Sequence, residues 1–251
     1  MQLTYDKYFR HTVNDFAYIR LTSCDNSFYS YFIENYDQII QCGNLIIDVH
    51  NNGGGDGNVV RPVVSFLIDN DTVYNYAEKT RVNHALYKAK ASSKIFYYED
   101  YEVSEYYKEK MYPYYYNNAF EEMQYGNFLS DVSDSLRYKE KIYVLIGVDC
   151  GSACEDFVAM LSQNKNVSFL GKTTVGAFGQ PLVVRLPSEI EVLINTTKTY
   201  DFQGRDISSG FPPDYEYDFS EIYKINNPNE MFRQLIEVIT QITEYQKISK
   251  N

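Results

Sequence analysis

Two short apolar runs limit what this chain can fold into. They are NLIIDVH (Asn44–His50) and KIYVLIGV (Lys141–Val148), and both place apolar residues at consecutive positions. A strand wetted on one face alternates apolar with polar, whereas a strand covered on both faces reads as an unbroken apolar run. Each run leads into a glycine-containing loop, NNGGGDGN after the first and DCGS after the second, and then into a segment of helical spacing. Ahead of them, FAYIRLT (Phe16–Thr22) is a β-rich strand. SFYSYFIENYDQIIQC (Ser27–Cys42) sets Phe28, Phe32, Ile33, Ile39 and Ile40 at helical spacing, and VSFLG (Val167–Gly171) is a further strand. This strand–helix–strand–loop–helix order predicts an α/β fold, a central β-sheet with flanking helices.

The remaining elements fill in around that frame. VVRPVVSFLI predicts a helix that begins or kinks near Pro62. Ser152 to Asn164 predicts a helix with Phe157, Val158 and Leu161 on one face, and PLVVRLP with IEVLINTT predicts a β-hairpin. Near the C-terminus, Asn227 as N-cap, Pro228 at N1 and Glu230 at N3 open a helix whose apolar stripe is Phe232, Leu235, Ile236, Ile239 and Ile242. About 95–128 stands apart: it holds ten tyrosines, alternates them with Glu and Lys, and has little aliphatic content. It reads as a partly helical surface insertion in a single domain spanning 1–251.

The balance of charge removes several function classes. With a net charge of −11, the chain repels nucleic acid and anionic lipid, so neither is an expected partner. No run is long and apolar enough for a membrane span, and MQLTYDKYFRHTVNDF lacks the apolar core of a signal peptide. The expectation is a cytoplasmic protein if the chain is complete and an exported one if it is a piece of a longer precursor. Four cysteines, Cys24, Cys42, Cys150 and Cys154, are too few for a disulfide scaffold. Cys150 and Cys154 are four apart, but no further Cys or His lies near them in sequence, so no metal site is expected.

In an open α/β sheet, loops leaving the carboxyl ends of neighbouring strands gather around one crevice. The first loop here, Asn51-Asn52-Gly53-Gly54-Gly55-Asp56-Gly57, can turn successive N–H groups toward an anion. A nucleotide is the weaker occupant, because neither GxGxxG nor GxxxxGK[ST] is present. The second loop ends on Ser152. There it is a standard N-cap, and Glu155 three residues on completes a capping box. The same position suits a nucleophile, since a helix N-terminus favours developing negative charge. The spacing alone leaves both roles open.

Five blocks together bear on the choice: FAYIRLTSC, LIIDVHNNGGGDGNVVRPVV, VLIGVDCGSACEDFVAML, FLGKTTVGAFGQPL and SSGFPPDYEYDF. In content, order and spacing they resemble the tail-specific, or C-terminal processing, serine protease family. The closer likeness is to its tricorn-like and interphotoreceptor-retinoid-binding-protein-like branch. The resemblance covers roughly Phe16 to Phe219 and implies the crotonase/ClpP-like core of that family. It further implies a serine-type peptidase acting on polypeptide through an acyl-enzyme, without cofactor. It places the nucleophile on Ser152 and the oxyanion hole on the amides of Ala153 and of Gly53 or Gly54.

The general base is where this sequence departs from the pattern. The branch with a Ser–Lys dyad carries lysine in a TFGKG-like segment; here that segment is TVGAFGQP and the position is Ala177. Lys172 is near in sequence but outside the motif. The tricorn-like branch uses a histidine ahead of the first core strand, which by chain order is His11. His50, at a position where relatives usually carry arginine, reads as structural, and His84 has no assigned role. Asp206 lies near the acidic member of that branch's constellation and would orient the histidine. No PDZ-like region is visible. The alternative reading is a catalytically incomplete member that binds peptide or a hydrophobic ligand.

Overall fold

The computed structural model describes residues 15–81, 85, 124–179, 181–188 and 190–249. Five parallel strands form the central sheet: β1 (Phe16–Arg20), β2 (Asn44–Asp48), β5 (Lys141–Ile146), β6 (Val167–Gly171) and β10 (Tyr215–Glu216), in the spatial order β1-β2-β5-β6-β10. The apolar runs form strands because both faces are covered. Ala17, Ile19, Leu45, Ile47, Ile142, Val144 and Ile146 enter one core cluster, while their alternates Tyr18, Ile46, Tyr143 and Leu145 enter the other.

The first cluster is closed by three helices: α1 (Asn26–Ile39), α2 (Val60–Leu67) and α3 (Ala153–Leu161). The α1 N-terminus is capped by Asp25, whose side chain accepts from the Ser27 N–H at 2.9 Å. In α2, Pro62 sits in the first turn, where its missing N–H costs nothing. The second cluster is closed by a short helix, α4 (Ser220–Tyr223), and by the long C-terminal α5 (Pro228–Ser249). As expected, Asn227 caps α5, accepting from the N–H groups of Asn229 and Glu230, and Phe232, Leu235 and Ile239 are buried.

A second, antiparallel sheet, absent from the sequence reading, has the order β4-β3-β9. Its strands are β3 (Thr72–Thr80), β4 (Gln124–Leu129) and β9 (Thr197–Tyr200). The end of the tyrosine-rich segment therefore differs from expectation: Gln124–Phe128 is strand, paired to β3, rather than helix. The rest of that segment, up to residue 123, lies outside the described residues. The expected hairpin is present as β7 (Leu182–Arg185) and β8 (Glu191–Ile194).

Candidate functional site

Loops leaving β2, β5 and β6 converge at the carboxyl edge of the central sheet. Ser152 is the last residue of the loop between β5 and α3, and its backbone is strained, with φ 54° and ψ −128°. For a side chain with a Cβ this conformation costs about 1–3 kcal/mol and persists only where surrounding bonds hold it. Three backbone hydrogen bonds hold it here. The Cys150 N–H donates to the Gly147 carbonyl (2.9 Å), the Cys150 carbonyl accepts from the Val175 N–H (3.0 Å), and the Gly151 N–H donates to the Asn52 carbonyl (3.1 Å).

The expected capping box does not close. Ser152 is the N-cap of α3, yet its side chain makes no capping hydrogen bond. The strained backbone turns the hydroxyl away from the helix, and Ser152 is exposed. Glu155, at N3, turns its carboxylate to other partners, although the nearby Ser152 N–H favours its ionised form. Glu155 is also completely buried and binds Thr174 Oγ1, the Gly176 N–H (2.7 Å) and the Ala177 N–H (2.7 Å). Burial pushes its carboxyl above the usual range, and these donors partly restrain the rise. One carboxylate thus ties the first turn of α3, next to Ser152, to the loop after β6.

The glycine-rich loop is brought onto the same turn. Gly54 adopts φ 101°, and a Cβ there would lie 2.6 Å from the Gly151 carbonyl oxygen, 2.7 Å from Ser152 Cβ and 3.0 Å from the Ala153 nitrogen. No residue but glycine lets the two backbones approach this closely. Buried Asn52 sets the loop: its Nδ2 donates to the Leu21 carbonyl (2.9 Å) and its Oδ1 accepts from the Gly54 N–H (2.9 Å). Gly53 is exposed beside it. Ala153 is the first residue of α3, where backbone N–H groups have no intrahelical acceptor. Asp156, one turn into α3, faces Gly57. Burial and the neighbouring Glu155 and Glu78 push its carboxyl up to about 7, against the pull of Arg61.

The structure thus brings together Ser152, Ala153 and Gly54. Asp206 is engaged otherwise: its carboxylate accepts from Lys198 Nζ (2.8 Å) and Ser208 Oγ (2.6 Å). Those two partners hold its carboxyl down at about 2. Lys172 is paired with Asp218 at 2.7 Å. His11 and His84 lie outside the described residues. His50 has a structural setting. Its Nδ1 meets Asp48 Oδ1 at 2.6 Å and its ring stacks on Tyr223, with centroids 4.0 Å apart. It lines a cavity of about 320 Å³ together with Gly147, Asp149, Lys172, Tyr217 and Tyr223.

Sequence reasoning missed the reach of Glu155 and Asn52. Ser-x-x-Glu marked Glu155 only as a capping partner, and nothing local ties it to Thr174, nineteen residues on.

Comparison with known proteins places the fold. Among solved structures, a candidate peptidase from Parabacteroides merdae superposes with a TM-score of 0.61 at 18% identity, over 84% of this chain and 57% of its own. Mature CPAF complexed with lactacystin gives 0.60 at 16%, over 94% and 52%. The photosystem II D1 C-terminal processing protease gives 0.51 at 17%, over 81% and 42%. The chain therefore spans about half the length of these relatives, and at such identities the likeness is one of fold. A search of curated proteins finds no match. The sequence model of peptidase family S41 matches residues 15–217, from the first core strand to the last, and so the chain belongs to peptidase family S41.

Proposed function

We propose that the chain is a serine-type peptidase that forms its acyl-enzyme on Ser152. The observation that carries the reading is the Ser152 turn: an exposed hydroxyl, free of capping duty, on a strained backbone pressed against Gly54. In this reading Ser152 Oγ attacks the scissile carbonyl. The carbonyl oxygen, as it becomes negative, takes hydrogen bonds from the Ala153 N–H and a glycine N–H. Gly54's amide is committed to Asn52, which favours Gly53 as the second donor. Each such donor lowers the barrier by about 3 kcal/mol. The N-terminus of α3 adds its dipole in the same direction.

Ala177 cannot accept a proton, and its amide is bound to Glu155, so a Ser–Lys dyad at that position is excluded. This supports the histidine-using, tricorn-like branch, with His11 as base by its place ahead of β1. Asp206 orients that imidazole only by releasing Lys198. The substrates in this reading are unstructured polypeptide ends or unfolded protein.

The test is active-site labelling. A fluorophosphonate labels the wild type under native conditions, Ser152→Ala abolishes it, and His11→Ala reduces it by at least about 100-fold. A wild type that stays unlabelled, yet binds unfolded peptide equally well with and without Ser152→Ala, supports the second reading, a peptide-binding protein on a peptidase scaffold. The observation favouring that reading is Ala177.

A further inference from the structure

The Ser152 turn is bracketed by two thiols. Cys150 precedes it and Cys154 lies in the first turn of α3, and their Sγ atoms are 2.7 Å apart. We propose that Cys150 and Cys154 are a redox-active dithiol that closes to an intramolecular disulfide across the Ser152 turn. The co-reactant is a low-molecular-weight disulfide of the glutathione type.

Several observations converge on this pair. A disulfide bond is about 2.05 Å long, so closure needs a movement of well under about 1 Å. Both side chains are buried within the α1–α2–α3 core, so they face each other rather than water. Their positions are fixed from both ends. The Cys150 amide and carbonyl are bonded to Gly147 and Val175, and the Cys154 N–H donates to the Gly151 carbonyl at 3.1 Å. The other two thiols are spoken for. Cys24 Sγ donates to Asn52 Oδ1 (3.6 Å), and Cys42 Sγ to the Gln38 carbonyl (3.4 Å). Closure leaves the turn's shape intact and binds Gly151, Ser152 and Ala153 into a small covalent ring. That ring braces a backbone already held at positive φ.

The chemistry balances as thiol–disulfide exchange. One protein thiolate attacks RS–SR, the S–S bond breaks and RS⁻ leaves. The second protein thiolate attacks the protein sulfur of the mixed disulfide and expels the second RS⁻. Two thiol protons end on two RSH, the protein loses two electrons and RS–SR gains them. Burial pushes the Cys154 thiol well above its ordinary range, which keeps thiolate scarce in the folded protein. Exchange is therefore slow once the turn is packed and fast while the chain folds. The pair therefore reaches the poise of its surroundings quickly during folding and slowly afterwards.

The proposal stands whether or not Ser152 is a nucleophile, and its test reads thiols rather than activity. Native protein is held in buffers running from reduced to oxidised glutathione, and in parallel the chain is refolded from urea in the same buffers. Samples are acid-quenched, denatured, alkylated and mapped by mass spectrometry. At the oxidised end, by either route, only Cys24 and Cys42 are expected to take alkyl groups. The unalkylated mass falls by about 2 Da, and a fragment is linked through Cys150 and Cys154. Cys154→Ser is expected to leave three alkylatable thiols at every ratio. Four alkylatable thiols throughout both routes overturn the proposal, as does glutathione retained on Cys150 or a link that includes Cys24.

Discussion

The loops that leave β2 and β5, neighbouring parallel strands, treat their polar groups in opposite ways. At the end of β2, Asp48 is completely buried and its carboxylate accepts from Tyr18 (2.6 Å) and Tyr223 (2.9 Å) while holding His50 of the loop at 2.6 Å. Arg20 lies over the Tyr223 ring. After β5, Ser152 has a strained backbone and a hydroxyl that does not cap its helix. One edge position spends its hydrogen bonding on the fold. The other is held in place by its neighbours' bonds and keeps its own hydroxyl available. Position at the carboxyl edge of a sheet therefore does not by itself separate a side chain that serves the fold from one left over.

The comparison can be broken at either end. Gly54→Ala carries the largest expected effect on labelling. It sets a Cβ against the Ser152 turn at positive φ, so fluorophosphonate labelling falls at least about 100-fold and stability drops by about 1–3 kcal/mol. Normal labelling in this variant would show that the glycine loop does not shape the turn. Asp48→Ala comes next. It leaves two tyrosine hydroxyls and an arginine without their buried carboxylate, at a cost of about 3–5 kcal/mol in urea unfolding.

Acid titration of the wild type probes the same carboxylate. Burial alone raises the Asp48 pKa, but His50, Arg20 and Tyr18 together outweigh it, and the carboxyl sits below its usual value. Its stabilisation is thus full above the unfolded value of about 3.9 and is lost as pH falls through the lower folded value. Asp156 behaves in the reverse sense. With its carboxyl raised to about 7, the folded state favours the protonated form, and that stabilisation declines as pH rises from about 4 to about 7. Asp156→Asn should flatten this part of the stability profile in thermal melts. An unchanged slope would mean that Asp156 is ionised in the folded protein at no cost.

His50→Gln is the smallest expected effect. It exchanges one hydrogen bond to Asp48 for another, costs about 1 kcal/mol and leaves labelling intact. If labelling vanished while the melting curve held, His50 would be the base and the contrast between the two loops would collapse.

Much of the fold was legible because local burial writes itself into local pattern. The apolar runs at Asn44–Asp48 and Lys141–Ile146, the helical stripe of α5 with its Asn227 cap, and the β7–β8 hairpin all follow from residues a few positions apart. The β4-β3-β9 sheet was not legible. TVYNYAEKT and QYGNFL carry few aliphatic residues, and β3 is mostly half-buried, so neither period nor composition marks them. β10 is two residues long and exists as a strand because β6 pairs with it.

The candidate site divides in the same way. By itself the sequence determined the two glycine loops, the Ser-x-x-Glu spacing at Ser152 and the absence of lysine at Ala177, since these are matters of residue type and near spacing. Only the tertiary structure decided that Ser152 is freed from capping, that Gly54 is the contact point, and that Glu155 joins the turn to Thr174 and Ala177. It likewise decided that Asp48 meets Tyr223, 175 residues away. The physical reason is that a hydrogen bond or a close backbone approach belongs to whichever groups the crossover topology brings within about 3 Å. No local period encodes that partner.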